Sequence, residues 1–134
     1  MSGAALAAAA EALIGCPFRL HGRDPQRGLD CVGLVASALA ATGHIVSAPA
    51  GYAMRRQEVG ALAAIARGAG LVEVEGPISD GDVLLVRCGP GQLHLIVASS
   101  GGGFVHAHAG IGRVVRTPGP LPGPVERHWR LLSR

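Results

Sequence analysis

Aromatic residues are scarce in this chain: two Phe, one Tyr and one Trp among 134 residues, or 3%. The core therefore has to be built from Ala, Val, Leu and Ile. A surface that stacks bases on aromatics interleaved with basic residues is excluded. Charge of one sign is also lacking, because the Arg residues are scattered and the net charge is only +3 with His neutral. No nucleic-acid partner is expected, and a weak attraction to an anionic polymer is all that this charge allows. Cysteine is limited to Cys16, Cys31 and Cys88, an odd set with no CxxC spacing. That excludes a disulfide framework and a structural zinc site, and free thiols are expected. No apolar run reaches the roughly 18 residues of a membrane span, so no membrane partner is expected. The apolar stretch Met1 to Ile14 has no basic leader and carries Glu11. It reads as an Ala-rich helix rather than a signal peptide, and synthesis as a cytoplasmic chain is the expectation.

What is present is a hydrophobic content of 49%, with 21 Gly and 9 Pro spread between apolar runs of regular period. Such a chain can bury one core, so a single domain over residues 1–134 is expected. Residues 4–14 favour helix and stop at Gly15, with Pro17 close behind. Residues 18–29 look like loop. Residues 31–42 give a helix closed by Gly43, apolar on nearly every face and so buried on several sides. Residues 54–67 form a third helix. After Gly70 the period changes to that of strands: 71–75, 82–88, 93–99, 104–109 and 113–117, joined by short Gly-rich turns that favour hairpins. A Pro/Gly run at 118–124 leads to a last short segment around His128–Leu132. Helices first and strands after predict an α+β fold with an antiparallel sheet.

Cys31 stands in the run Gly28-Leu29-Asp30-Cys31-Val32-Gly33-Leu34-Val35. Asp30 can cap the helix that follows, which places the thiol in its first turn, where unpaired N–H groups and the dipole favour negative charge. Thiols so placed can be lowered to roughly 3.5–7.5, against about 8.5 for a free Cys, and an acidic thiol is the expectation here. Downstream, strand alternation puts His94, Ile96 and Ala98 on one face, and Phe104, His106 and His108 on one face of the next strand. The turn 99–103 joins these strands, so His94 and His106 become cross-strand neighbours if the register allows. A base oriented by a third polar group is what nucleophilic thiol chemistry needs. Cys16 and Cys88 have no His at comparable spacing and read as ordinary thiols. His21, His44 and His128 read as surface or structural groups. The three strand histidines lack the ligand spacing of a zinc site, so neither metal nor cofactor is expected.

This order of segments resembles the NlpC-type cysteine peptidases of bacterial and phage cell-wall metabolism, a papain-like family. Gly15-Cys16-Pro17-Phe18-Arg19 followed by Gly22 is similar to the loop ahead of the family's nucleophile, and Asp30-Cys31-Val32-Gly33-Leu34 to its Asp-Cys-Ser-Gly-Leu. Asp80-Gly81-Asp82-Val83 is similar to its Pro-Gly-Asp turn, His94-Leu95-Ile96-Val97 to His-Val-Gly-Ile, and Phe104-Val105-His106-Ala107 to the segment of its third catalytic position. The interval between His94 and His106 also fits the family. Val32 stands where Ser is common, and Phe18 where Tyr is frequent.

The resemblance implies a papain-like α+β fold, with N-terminal helices, the nucleophile opening a central helix, and a C-terminal antiparallel sheet. It implies Cys31 as nucleophile, His94 as base and His106 as the residue that orients it. Asp30 and the Cys31 backbone N–H would position the nucleophile and the oxyanion. Phe18, Arg19 and His108 are the candidates for the substrate cleft, with His108 also able to exchange roles with His106. The implied substrate is the peptidoglycan stem peptide, commonly its bond between D-glutamate and a diamino acid. The compact chain resembles the short phage or prophage tail-associated subgroup, which implies phage-like tail proteins as partners and action at the cell wall. Two other classes share these residues: a tail-assembly protein that keeps the fold without catalysis, and a papain-like amidase or acyltransferase on another substrate.

Overall fold

The structure, a computed structural model, describes residues 2–44, 59–90 and 92–132. Three helices come first: α1 (Ser2–Glu11), α2 (Cys31–Ala41) and α3 (Val59–Gly68). Two very short strands, β1 (Arg23–Asp24) and β2 (Gly28–Leu29), form a small hairpin ahead of α2. The main sheet holds β3 (Leu71–Glu73), β4 (Val83–Gly89), β5 (Gln92–Ala98), β6 (Phe104–His108), β7 (Arg113–Thr117) and β8 (Val125–Leu131). Its order is β3-β8-β4-β5-β6-β7, and every neighbouring pair is antiparallel. This is the expected α+β arrangement, helices before sheet. No helix among the described residues is long and apolar enough to cross a membrane.

Alternation along the strands sorts the sheet into two faces. Val83, Leu85, Leu95, Val97, Val105 and Trp129 join residues of all three helices in one buried cluster. The opposite face carries a smaller cluster of Leu84, Val86 and Ile96, against which Phe104 and Leu121 pack. The helices thus form a single layer on one side, and α2 is buried along seven of its residues because it packs against both α1 and the sheet.

Three expectations need correction. The segment 18–29 is not all loop: β1 and β2 pair through Arg23↔Leu29 and Asp24↔Gly28, and Asp24 Oδ1 takes the Gln26 N–H at 3.0 Å to hold the turn. Helix α1 ends at Glu11 rather than Gly15, and its end is tied down: Gly15 N–H donates to the Val114 carbonyl at 2.9 Å. The Glu11 carboxylate takes the Ser99 hydroxyl at 2.6 Å and the Ser100 N–H at 2.8 Å. The last segment is longer than expected, and it is not peripheral. Strand β8 lies inside the sheet, between β3 and β4. Its polar residues mask the strand pattern, yet each has a partner across the ladder: Arg127 Nη1 donates to both Glu73 oxygens at 2.9 Å, and His128 and Arg130 reach Asp82. The first part of the expected third helix, residues 54–58, lies outside the described residues.

Candidate active site

Helix α2 starts at Cys31 because Asp30 leaves the helix for an extended conformation and takes the Gly33 N–H at 2.8 Å. That is the N-cap bond, and it satisfies one of the donors that a helix start leaves open. Asp30 is fully buried and receives two more donors, the His21 N–H at 2.8 Å and Arg23 Nη1 at 2.9 Å. Gly33 has to be glycine here: a Cβ would collide with the Gly22 carbonyl oxygen. The segment carrying Phe18 and Arg19 is strapped to the residues that lead into Cys31, through Leu29 N–H to the Pro17 carbonyl at 2.9 Å and Arg19 N–H to the Leu29 carbonyl at 3.2 Å. Phe18 N–H also donates to the Gly112 carbonyl at 2.9 Å, which joins this segment to the turn after His108. Phe18 packs on the core and Arg19 is exposed.

Strands β5 and β6 pair only at Val97↔Val105 and Ala98↔Phe104. Ser99 N–H donates to the Gly103 carbonyl across this hairpin, so by alternation the backbone groups of Val97 and Leu95 face β6. Past Val97 the strands part, and the start of α2, which touches both, puts the Cys31 thiol against the Leu95 N–H. The nucleophile candidate thus sits against the backbone of β5 at Leu95, the residue after His94 in the strand.

His94 Nε2 and His106 Nδ1 are 3.1 Å apart, with the rings edge to face. His106 Nε2 lies 3.1 Å from Thr117 Oγ1. Continued past Val97, the β5–β6 register would set His108 opposite His94. Instead the ladder ends, and His108 turns Nδ1 to accept the Ile111 N–H at 3.0 Å, its ring centroid 5.6 Å from that of His106. Of the three strand histidines, His94 and His106 form the pair and His108 stands beside it. Thr117 was not singled out from the sequence. Its place on the face of His106 follows only once β7 is registered on β6, with Phe104↔Thr117. Arg23, the partner of Asp30, was likewise not read from sequence, since its segment looked like loop.

The expected acidic thiol is not what this environment makes. Burial pushes Cys31 up to about 12, and the nearby Asp30 charge adds to the rise, while the Leu95, Val32 and Cys31 N–H groups oppose it. Cys31 is only 2% exposed, so the cost of a buried charge outweighs the helix dipole. Burial, with His106 and His108 adding to it, also brings His94 down to about 4. His106 is lowered by burial and by His108. At neutral pH these shifts leave the Cys31 thiol and the His94 and His106 imidazoles all neutral.

The whole architecture matches solved NlpC/p60 domains. The NlpC/p60 domain of the peptidoglycan hydrolase SagA is 27% identical, with a TM-score of 0.61 over 88% of this chain and 90% of that one. The chain has the NlpC/p60 fold. The P60 domain of a Mycobacterium avium subspecies paratuberculosis antigen gives a TM-score of 0.65 at 19% identity, over 99% of this chain and 96% of that one. NlpC2 from Trichomonas vaginalis gives 0.72 at 20% identity; this chain is covered to 99% but spans only 47% of that longer one. No family model matches the sequence, and neither does any curated protein.

Proposed function

We propose that the chain is a cysteine endopeptidase of peptidoglycan stem peptides, working through Cys31, His94 and His106. The observation that carries this reading is the His94–His106 pair at 3.1 Å, on strands against which the helix opened by Cys31 packs. The NlpC/p60 fold supports the substrate class, because the SagA domain that shares it comes from a peptidoglycan hydrolase.

Cys31 Sγ attacks the scissile carbonyl as its proton passes to His94 Nδ1, the ring nitrogen not engaged by His106. The N–H groups at the start of α2 receive the oxyanion. The C–N bond then breaks, the leaving amine takes the proton from His94, and an acyl thioester remains on Cys31. Water, deprotonated by His94, attacks that thioester, and the thiol and a carboxylate are released. Phe18, Arg19 and His108 border the cleft in this scheme, and by resemblance the bond cut is the one between D-glutamate and a diamino acid. We place the enzyme by the same resemblance in a phage-like tail that meets the cell wall, a placement tested by whether it co-purifies with such particles.

The test of the chemistry is digestion of purified muropeptides, followed by mass spectrometry. The parent is expected to release stem-peptide fragments, while folded Cys31→Ala and His94→Gln release none. Equal digestion by Cys31→Ala overturns the reading.

A further inference from the structure

The two ring nitrogens of His94 have to do different jobs. Nε2 is taken by His106 at 3.1 Å, so only Nδ1 is left to accept a proton from a thiol. That requires neutral His94 to carry its proton on Nε2 and donate it to His106 Nδ1. His106 must then be bare at Nδ1 and carry its own proton on Nε2. The tautomer of one ring dictates that of the next, and the choice is made by whatever faces the far nitrogen of His106. What faces it is the hydroxyl of Thr117, at 3.1 Å.

Resting on the peptidase reading above, we propose that Thr117 is a positioning residue: its hydroxyl accepts Nε2–H of His106 and so fixes the proton arrangement that leaves His94 Nδ1 free as base. The geometry suits the task. Thr117 is half-buried at the end of β7 and opposes Phe104 in the ladder, so its backbone is fixed by the sheet. Its side chain shares a face with His106, whose direct partner across the ladder is Val115. The opposite arrangement, with protons on Nδ1 of both rings, would turn a donor toward the sulfur and stop the transfer. A hydroxyl can also donate, but in this proposal Thr117 takes the accepting role in the resting site. It anchors the far end of a chain in which Thr117, His106 and His94 change together.

The test compares parent, Thr117→Val and Thr117→Ser, each with its thermal melt. Val keeps the β-branched shape that suits a strand and removes only the hydroxyl; Ser restores it. Ring ¹⁵N shifts of His94 and His106 distinguish Nδ1–H from Nε2–H directly, without any substrate. The parent is expected to hold Nε2–H on both rings, Thr117→Val to show a mixture, and Thr117→Ser to return to the parental state. On purified muropeptides, Thr117→Val is expected to lose about tenfold in kcat, the scale of one hydrogen bond, with KM unchanged and Thr117→Ser within about twofold of the parent. Parental tautomers in a folded Thr117→Val protein overturn the proposal, as does parental kcat. If the tautomers shift as expected but the parent cleaves no muropeptide, the peptidase reading falls while the role of Thr117 in setting the His106 proton stands.

Discussion

Replacing Asp82 by Asn tests whether the C-terminal strand is held in the sheet by the buried polar cluster. Asp82 is fully buried and accepts four hydrogen bonds: from Ser79 N–H at 2.8 Å, His128 Nε2 at 2.6 Å, and Arg130 Nε and Nη2, both at 2.9 Å. Three of these four bonds come from β8, through His128 and Arg130, so this one carboxylate fastens β8 to the turn ahead of β4. An amide keeps the shape but replaces one accepting oxygen by a donor facing donors. Each charge-assisted bond lost is worth about 1.5–3 kcal/mol, and removing one partner of a buried pair costs about 3–5 kcal/mol. The Arg130 side chain is 32% exposed, so water relieves part of this, and a loss of about 3 kcal/mol is expected. For a chain of this size that lowers Tm by roughly 10 °C. Urea unfolding followed by fluorescence suits the measurement, because the single Trp, Trp129, is 2% exposed and pairs with Val83. Burial raises the Asp82 carboxyl, but the bonds from Arg130, Ser79 N–H and His128 outweigh it and hold it below the ordinary 3.8. Its contribution is therefore present above that value and is lost as pH falls through the lower folded one. The gap between parent and variant is expected in full at pH 7 and to close in acid. A variant within about 1 kcal/mol of the parent at pH 7 refutes the reasoning.

Gly33→Ala is expected to cost more than 2 kcal/mol on the scale of overpacking and to slow any reaction of Cys31, because the added methyl meets the Gly22 backbone oxygen; chemical denaturation and alkylation rates check both. Burial lowers His94 from 6.5 to about 4, so its contribution to stability is full above pH 6.5 and falls by roughly 3 kcal/mol as pH drops to 4. Cys31 acts at the other limb: raised by burial from 9.0 to about 12, it makes stability fall as pH rises above 9. A stability profile that stays flat from pH 4 to 11 contradicts both. Leu84→Ala, in the small cluster behind the sheet, is expected to cost about 2–5 kcal/mol, read by the same urea titration.

The sequence carried the order of elements well where polarity alternates or periodic apolar runs end at Gly. Alternation set His94 with Ile96 and His106 with Phe104, and the sheet keeps them so. Choosing between His106 and His108 was beyond that signal, since both share a face and the answer depends on where the β5–β6 ladder stops. Strand β8 was hard to read because Arg127, His128 and Arg130 look like surface residues until Glu73 and Asp82 are brought beside them. The acidity expected of Cys31 failed for a related reason. A helix start is visible in sequence, but the burial that opposes its dipole comes from strands more than 60 residues further on.

The most direct test is to trap the acyl-enzyme. Parent protein mixed with purified muropeptides, quenched in acid within one turnover and digested, is expected to show a stem-peptide adduct on the Cys31 peptide, absent in Cys31→Ala. Muropeptide cleavage with no adduct on Cys31, or with the adduct elsewhere, would contradict the account.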